Sequence, residues 1–205
     1  MIIFLRHGQA ENNTKKILAG RTPGINLTED GKKQAEQAGE MIKSLNVSAI
    51  YSSPIDRAMQ TAEIVGKYCD VKPISDDRLI ELDMGKFTMV TYDEIFQKHG
   101  NVFLKFYEGS LEISHNGVES FSEVQKRVFD IVDFVKNKHK GENIVLVTHM
   151  DPIKAMIGKV LSLKSEILFQ LIVANASLNV FKYDDQNFYL SSINSMNSSR
   201  FHETF

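Results

Sequence analysis

Two short stretches, residues 1–5 and 143–147, are almost unbroken apolar runs. A strand with one wet face alternates apolar with polar side chains. Runs that are apolar at every position suit strands covered on both faces by helices, the arrangement of a parallel sheet. Four segments with a helical period supply such covers. Ala35, Ala38, Met41, Ile42 and Leu45 mark the first, with Thr28 as its expected N-cap and Glu29 and Asp30 in its first turn. The second spans residues 54–69, with Ser53 and Pro54 reading as N-cap and N1. Phe121, Val124, Val128, Ile131 and Val135 mark the third, which ends before Gly141. The fourth opens at Asp151-Pro152 and carries Ile153, Met156, Ile157 and Val160.

Residues 48–51 form a shorter strand candidate, and 177–183 with 187–192 flank a polar turn in the manner of a hairpin. Strands alternating with helices predict a three-layer α/β/α sandwich with a mostly parallel central sheet. The expected organisation is one domain over residues 1–205. Its less regular stretch, 88–119, holds short helical pieces at 92–99 and 102–107 and forms a lid or insertion over the site. The Ser/Asn-rich tail from Asn194 is expected to be loosely held.

Composition narrows the class. Twenty-four Lys and Arg stand against 26 Asp and Glu, a formal net charge of −2, which argues against a nucleic-acid-coating protein. The single cysteine, Cys69, excludes an internal disulfide and fits a reducing compartment. No apolar run approaches membrane-spanning length, and residues 1–5 are too short for a signal-peptide core. A cytoplasmic location without nucleic-acid or membrane partners is therefore expected.

Polar groups follow the strand candidates. Arg6-His7-Gly8 comes after the first, Arg57 lies near the start of the helix after the second, and His149 follows the run at 143–147. In open α/β sheets ligands bind outside the carboxyl ends of the strands. Two arginines and two histidines gathered there suit a tetrahedral dianion, because guanidinium forks clamp peripheral oxygens with charge-assisted bonds. A histidine in such a cradle can attack phosphorus through one ring nitrogen while the other is held by an acceptor. The leaving alcohol then needs a proton, and Glu81, set among apolar neighbours that can raise its pKa, is the expected donor.

Arg6-His7-Gly8 resembles the signature of the histidine phosphatase superfamily, the phosphoglycerate mutase-like family. The likeness continues in order along nearly the whole chain: Asn13; Gly20-Arg21; Leu27 to Gly31 with Gln34-Ala35; Ser52-Ser53-Pro54 through Arg57 and Thr61-Ala62; Glu81 with Gly85; Gly117 to Ser120; and Val147-Thr148-His149. The resemblance implies His7 as nucleophile, Arg6, Arg57 and His149 as phosphoryl ligands, and Glu81 as proton donor. It also implies substrate or phosphate contacts at Asn13, Gly20, Arg21 and Met150, and no metal. Two stretches depart from the family pattern, Lys86-Phe87-Thr88-Met89 and Met150-Asp151. Both lie beside the expected cleft and bear on substrate choice.

The favoured expectation is a metal-independent phosphomonoester hydrolase acting on small phosphorylated metabolites through a phosphohistidine, with no cofactor. The rival is a phosphoglycerate mutase primed by 2,3-bisphosphoglycerate; few cations in 86–119 tilt against it. A non-catalytic phosphate-binding regulator is a further alternative. Phe103, Phe106 and Tyr107 are expected in the core, with a wall of the substrate entrance as the other option. His99, His115, His139 and His202 show no metal-ligand spacing. The terminal hairpin leaves a sheet edge that admits a homodimer.

Overall fold

The structure is a computed structural model that describes residues 1–110 and 115–196. Its six-stranded sheet has the order β3-β2-β4-β1-β5-β6. The strands are β1 (Ile2–Arg6), β2 (Val47–Ser52), β3 (Ile74–Ser75), β4 (Asn143–Thr148), β5 (Leu178–Tyr183) and β6 (Phe188–Ser195). β3, β2, β4 and β1 run parallel, while β5 and β6 add an antiparallel hairpin beyond β1. The expected sandwich and mostly parallel sheet are present.

The unbroken apolar runs sit in the centre, where alternate side chains enter opposite layers. Ile2 and Phe4 of β1, with Ile144 and Leu146 of β4, join the core under α6 (Phe121–Lys138) and α7 (Met150–Leu161). Ile3, Leu5, Val145 and Val147 face the other core, under α2 (Glu29–Ile42) and α3 (Asp56–Cys69). A short helix α1 (Glu11–Thr14) follows β1, and α8 (Ser165–Gln170) follows α7. α4 (Tyr92–His99) and α5 (Val102–Tyr107) fall at the expected positions, capped by the side chains of Thr91 and Asn101. Ile95, Val102, Phe106 and Tyr107 bury against the α6–α7 core.

Helix starts follow the capping chemistry with one instructive exception. The Thr28 hydroxyl accepts the Gly31 N–H at 3.0 Å and opens α2, as expected. Ser53 does not cap α3. Its N–H continues the sheet ladder to the Val147 carbonyl at 3.0 Å, so the chain stays extended and the helix begins only at Asp56, after Ile55. α7 begins one residue earlier than expected, with His149 as its N-cap. The tail is not loose at its start: Asn194 lies in β6 and its side-chain oxygen accepts the Ala174 N–H at 2.9 Å. Residues 197–205, with His202, lie outside the described residues.

Candidate active site

Strand register builds the site. β1 and β4 pair with Arg6 opposite Thr148, which sets the next residues, His7 and His149, side by side with ring centroids 5.1 Å apart. β2 lies on the far side of β4 with Ser52 opposite Val147, so Ser53 reaches His149, and α3 then delivers Arg57. Four polar side chains from three elements thus meet at the carboxyl edge of the parallel block.

The hydrogen bonds fix both imidazoles. His7 Nδ1 lies 2.7 Å from the Gly8 carbonyl, which can only accept, so Nδ1 carries the proton. Nε2 is left with a lone pair and receives the Arg57 Nε–H at 3.2 Å. For His149, Ser53 Oγ accepts the Ile55 N–H and sits 2.9 Å from Nε2, within hydrogen-bond distance. His149 Nδ1 is buried and has no partner. Arg57 Nη1 and Arg6 Nε are likewise buried and unpartnered. Two guanidinium N–H groups and an imidazole nitrogen buried without partners are costly, and such groups suit an anion.

Electrostatics follow from burial. Desolvation, reinforced by Arg57 and Arg6, holds both imidazoles well below the usual histidine range, so both rings are neutral. Burial also lowers the Arg57 guanidinium to about 10. Glu81 shifts the other way, up to about 7, through desolvation first and the charge of Asp151 second. A bound dianion would reverse the penalty on the cations.

The segment carrying Glu81 is clamped from several directions. The Thr148 hydroxyl donates to the Leu79 carbonyl at 2.6 Å, and Arg127 Nη1 donates to the Ile80 carbonyl at 2.6 Å. Arg21 Nε donates to the Glu81 carbonyl at 3.0 Å. Glu119 ties both arginines together, at 2.9 Å from each. Arg21 therefore holds the segment that carries Glu81 and is not among the residues lining the cleft. Arg78 pairs with Asp76 and leaves Glu81 free of a surface ion pair.

The cleft is lined by Arg6, His7, Asn13, Gly20, Arg57, Glu81 and Met150, whereas His149 is fully buried beside His7 and, like Arg21, is not among the lining residues. Asn13 is partly committed: its side-chain oxygen accepts the Ala10 N–H at 2.9 Å and the Asn175 amide at 3.3 Å. The Gly20 carbonyl accepts Arg57 Nη2 at 2.7 Å. Tyr92 and Phe103 form walls, so Phe103 takes the entrance role while Phe106 is core. Sequence reasoning missed the parts played by Ser53, Asn175 and Tyr107. The serine had been assigned to capping, and Asn175 sits in a loop with no period. Among the described residues no cluster of His, Cys, Asp or Glu could hold a metal ion.

A nucleophilic nitrogen, a set of anion donors and a protonated carboxyl together can transfer a phosphoryl group. Comparison with known proteins places the chain accordingly. The family model of the histidine phosphatase superfamily (branch 1) matches residues 2–196, and the chain belongs to that family of enzymes. It is 28% identical over 196 residues to phosphoserine phosphatase 1 of Hydrogenobacter thermophilus, covering 94% of this chain and 91% of the relative. It is 35% identical over 186 residues to the 2,3-bisphosphoglycerate-dependent phosphoglycerate mutase of Thermoplasma acidophilum, covering 87% and 84%. Among solved structures, a mycobacterial glucosyl-3-phosphoglycerate phosphatase in complex with VO3 superposes with a TM-score of 0.85 at 26% identity, covering 95% of this chain and 98% of that one. No helix among the described residues is long and apolar enough to cross a membrane.

Proposed function

We propose that this chain is a metal-independent phosphomonoester hydrolase acting on small phosphorylated metabolites in the cytoplasm, without a cofactor. The observation that carries the reading is the buried, unpartnered nitrogen on each of Arg6, Arg57 and His149, residues gathered at the strand ends with His7, whose Nε2 accepts the Arg57 Nε–H. In the first half-reaction Nε2 forms a bond to phosphorus and the ester P–O bond breaks. Glu81 gives its proton to the departing oxygen. In the second, Glu81 takes a proton from water, the resulting hydroxide attacks phosphorus, and the N–P bond of the phosphohistidine breaks. Arg6, Arg57 and His149 hold the peripheral oxygens throughout, and Asn13 adds a contact beside them.

Hydrolysis of phosphomonoesters should survive excess chelator and be inhibited by vanadate, and a ³²P-labelled phosphoenzyme should form with wild type but not with His7→Ala. Full activity in His7→Ala, or a strict metal requirement, would sink the mechanism. The mutase relative supports a second reading in which the phosphoryl group returns to a substrate oxygen. Incubation with 3-phosphoglycerate and a 2,3-bisphosphoglycerate primer separates them: isomerisation faster than phosphate release would establish the mutase.

A further inference from the structure

One carboxylate in the cleft is given no contact with the reacting atoms in that scheme, although its charge helps to raise Glu81. Asp151, the second residue after His149, lines the cleft and is only 8% exposed. Its Oδ1 accepts the Tyr107 hydroxyl at 2.6 Å. That hydroxyl in turn accepts Lys154 Nζ at 3.1 Å, and the ammonium lies 4.9 Å from the centre of the Tyr107 ring. The ring is wedged edge-on against Phe121 at 5.2 Å. Lys154 and Tyr107 are buried and neither lines the cleft. One carboxylate oxygen is thus anchored by a buried chain of donors, while the other has no hydrogen bond among the described residues and belongs to a residue of the cleft lining.

The rest of the lining says what that oxygen can meet. Among the described residues, Arg6 and Arg57 are the only lysines or arginines that line the cleft, and both are assigned to the phosphoryl group in the proposed reaction. Leu18, Met84, Tyr92, Phe103 and Met150 make much of the remaining wall. Residues 90–117 contain only Lys98 and Lys105 as lysine or arginine; neither lines the cleft, and Lys98 is bound to Glu94. A carboxylate on the leaving alcohol would find no cation there and would lie against Asp151 and Glu81. An ammonium would meet a fixed, poorly hydrated anion, where charge complementarity is worth more than in water.

We propose that Asp151, held by Tyr107 and Lys154, is the leaving-group recognition residue of the cleft and selects phosphomonoesters whose alcohol carries a cationic nitrogen over those carrying a carboxylate. The proposal rests on the hydrolase reading and specifies its substrate class. A group that only braced α5 against α7 would leave such a choice unchanged.

Three small esters of similar size test it: 2-aminoethyl phosphate, ethyl phosphate and 2-phosphoglycolate, with p-nitrophenyl phosphate as a general probe. For wild type, kcat/KM for the aminoethyl ester should exceed that for phosphoglycolate by about tenfold or more, with ethyl phosphate between them. Asp151→Asn keeps an acceptor for Tyr107 and should compress the ratio to within about threefold. A wild-type ratio near one or inverted overturns the proposal, as does Asp151→Asn retaining the full ratio; the wild-type order decides alone if the variant does not fold. Phosphate release from the p-nitrophenyl ester with no charge preference condemns Asp151 only. No release from any of the four condemns the hydrolase reading, and the proposal with it.

Discussion

At the scale of single residues, the environment of Glu81 suits the proton transfer proposed for it and burdens the fold. A group that first gives and then takes a proton works best when its pKa lies near the working pH, and burial beside Asp151 brings it to about 7. The carboxyl must start protonated, so kcat/KM should fall as pH rises beyond about 7. The same shift has a structural consequence of definite sign. The unfolded carboxyl ionises at about 4.5, whereas the folded one keeps its proton up to about 7. Across that window the folded state binds more protons, so this group's contribution to stability declines as pH rises through it. Glu81→Gln removes the titration while keeping an oxygen for the Leu82 N–H, which Glu81 accepts at 2.9 Å. It should lose turnover by at least about a hundredfold, melt a few degrees above wild type at pH 8, and melt with wild type at pH 4. Thermal melts at the two pH values check this, and a lower melting point for the variant at pH 8 would refute it. His7 and His149 act in the opposite sense. Held neutral in the fold, they make it less stable as pH falls below the ordinary histidine range.

At the scale of elements, the loop that carries His7 depends on a backbone contact that only glycine permits. A Cβ on Gly31 would lie 1.9 Å from the Gln9 carbonyl oxygen, and one on Gly8 would lie 2.4 Å from the Gly31 oxygen. The first turn of α2 cannot draw back freely, because Thr28 both caps it and donates to Gln9 Oε1 at 2.8 Å. Gly31→Ala should therefore cost about 2–4 kcal/mol in urea unfolding and reduce turnover, since the displaced loop carries the Gly8 carbonyl that orients His7. Gly24→Ala is the contrast: its φ is +75° but nothing lies within 4 Å, and about 1 kcal/mol of backbone strain is expected. Equal effects would deny the steric account. Elements with a long apolar period, such as α2 and α6, were legible in the sequence, and so were α4, α5 and the hairpin. The two-residue β3, both of whose residues are exposed, carries no period to find, and α8 is barely longer than a turn. Ser53 misled because its identity is that of a cap while its N–H was claimed by the sheet. Arg21 was readable as functional, but its partners Glu119 and the Glu81 carbonyl lie 98 and 60 residues away, and only the fold decides between clamp and ligand.

At the scale of the whole molecule, a net charge of −2 conceals a concentrated pocket of positive charge. Arg6 comes from β1, Arg57 from α3 and His149 from the start of α7, so the groups that would grip an anion belong to separate parts of the chain. Their burial weakens both guanidinium groups as bases and leaves nitrogens without partners in the protein. An anion that satisfies them binds the folded state alone and ties β1, α3 and α7 together. At a ligand concentration about 100 times its Kd, that linkage adds about 2.7 kcal/mol. For a chain of 205 residues each kcal/mol raises Tm by about 2–4 °C, so vanadate or phosphate should lift the melting point by about 5–10 °C. The shift should be largely lost in Arg57→Met, which retains an apolar stem but offers no donor. Raising ionic strength with sodium chloride should diminish it only modestly, because buried groups are screened less than exposed ones. Calorimetry across a vanadate titration reads this directly. An unchanged Tm in wild type at saturating vanadate, or an equal shift in Arg57→Met, would mean that the orphaned donors are not the anion site.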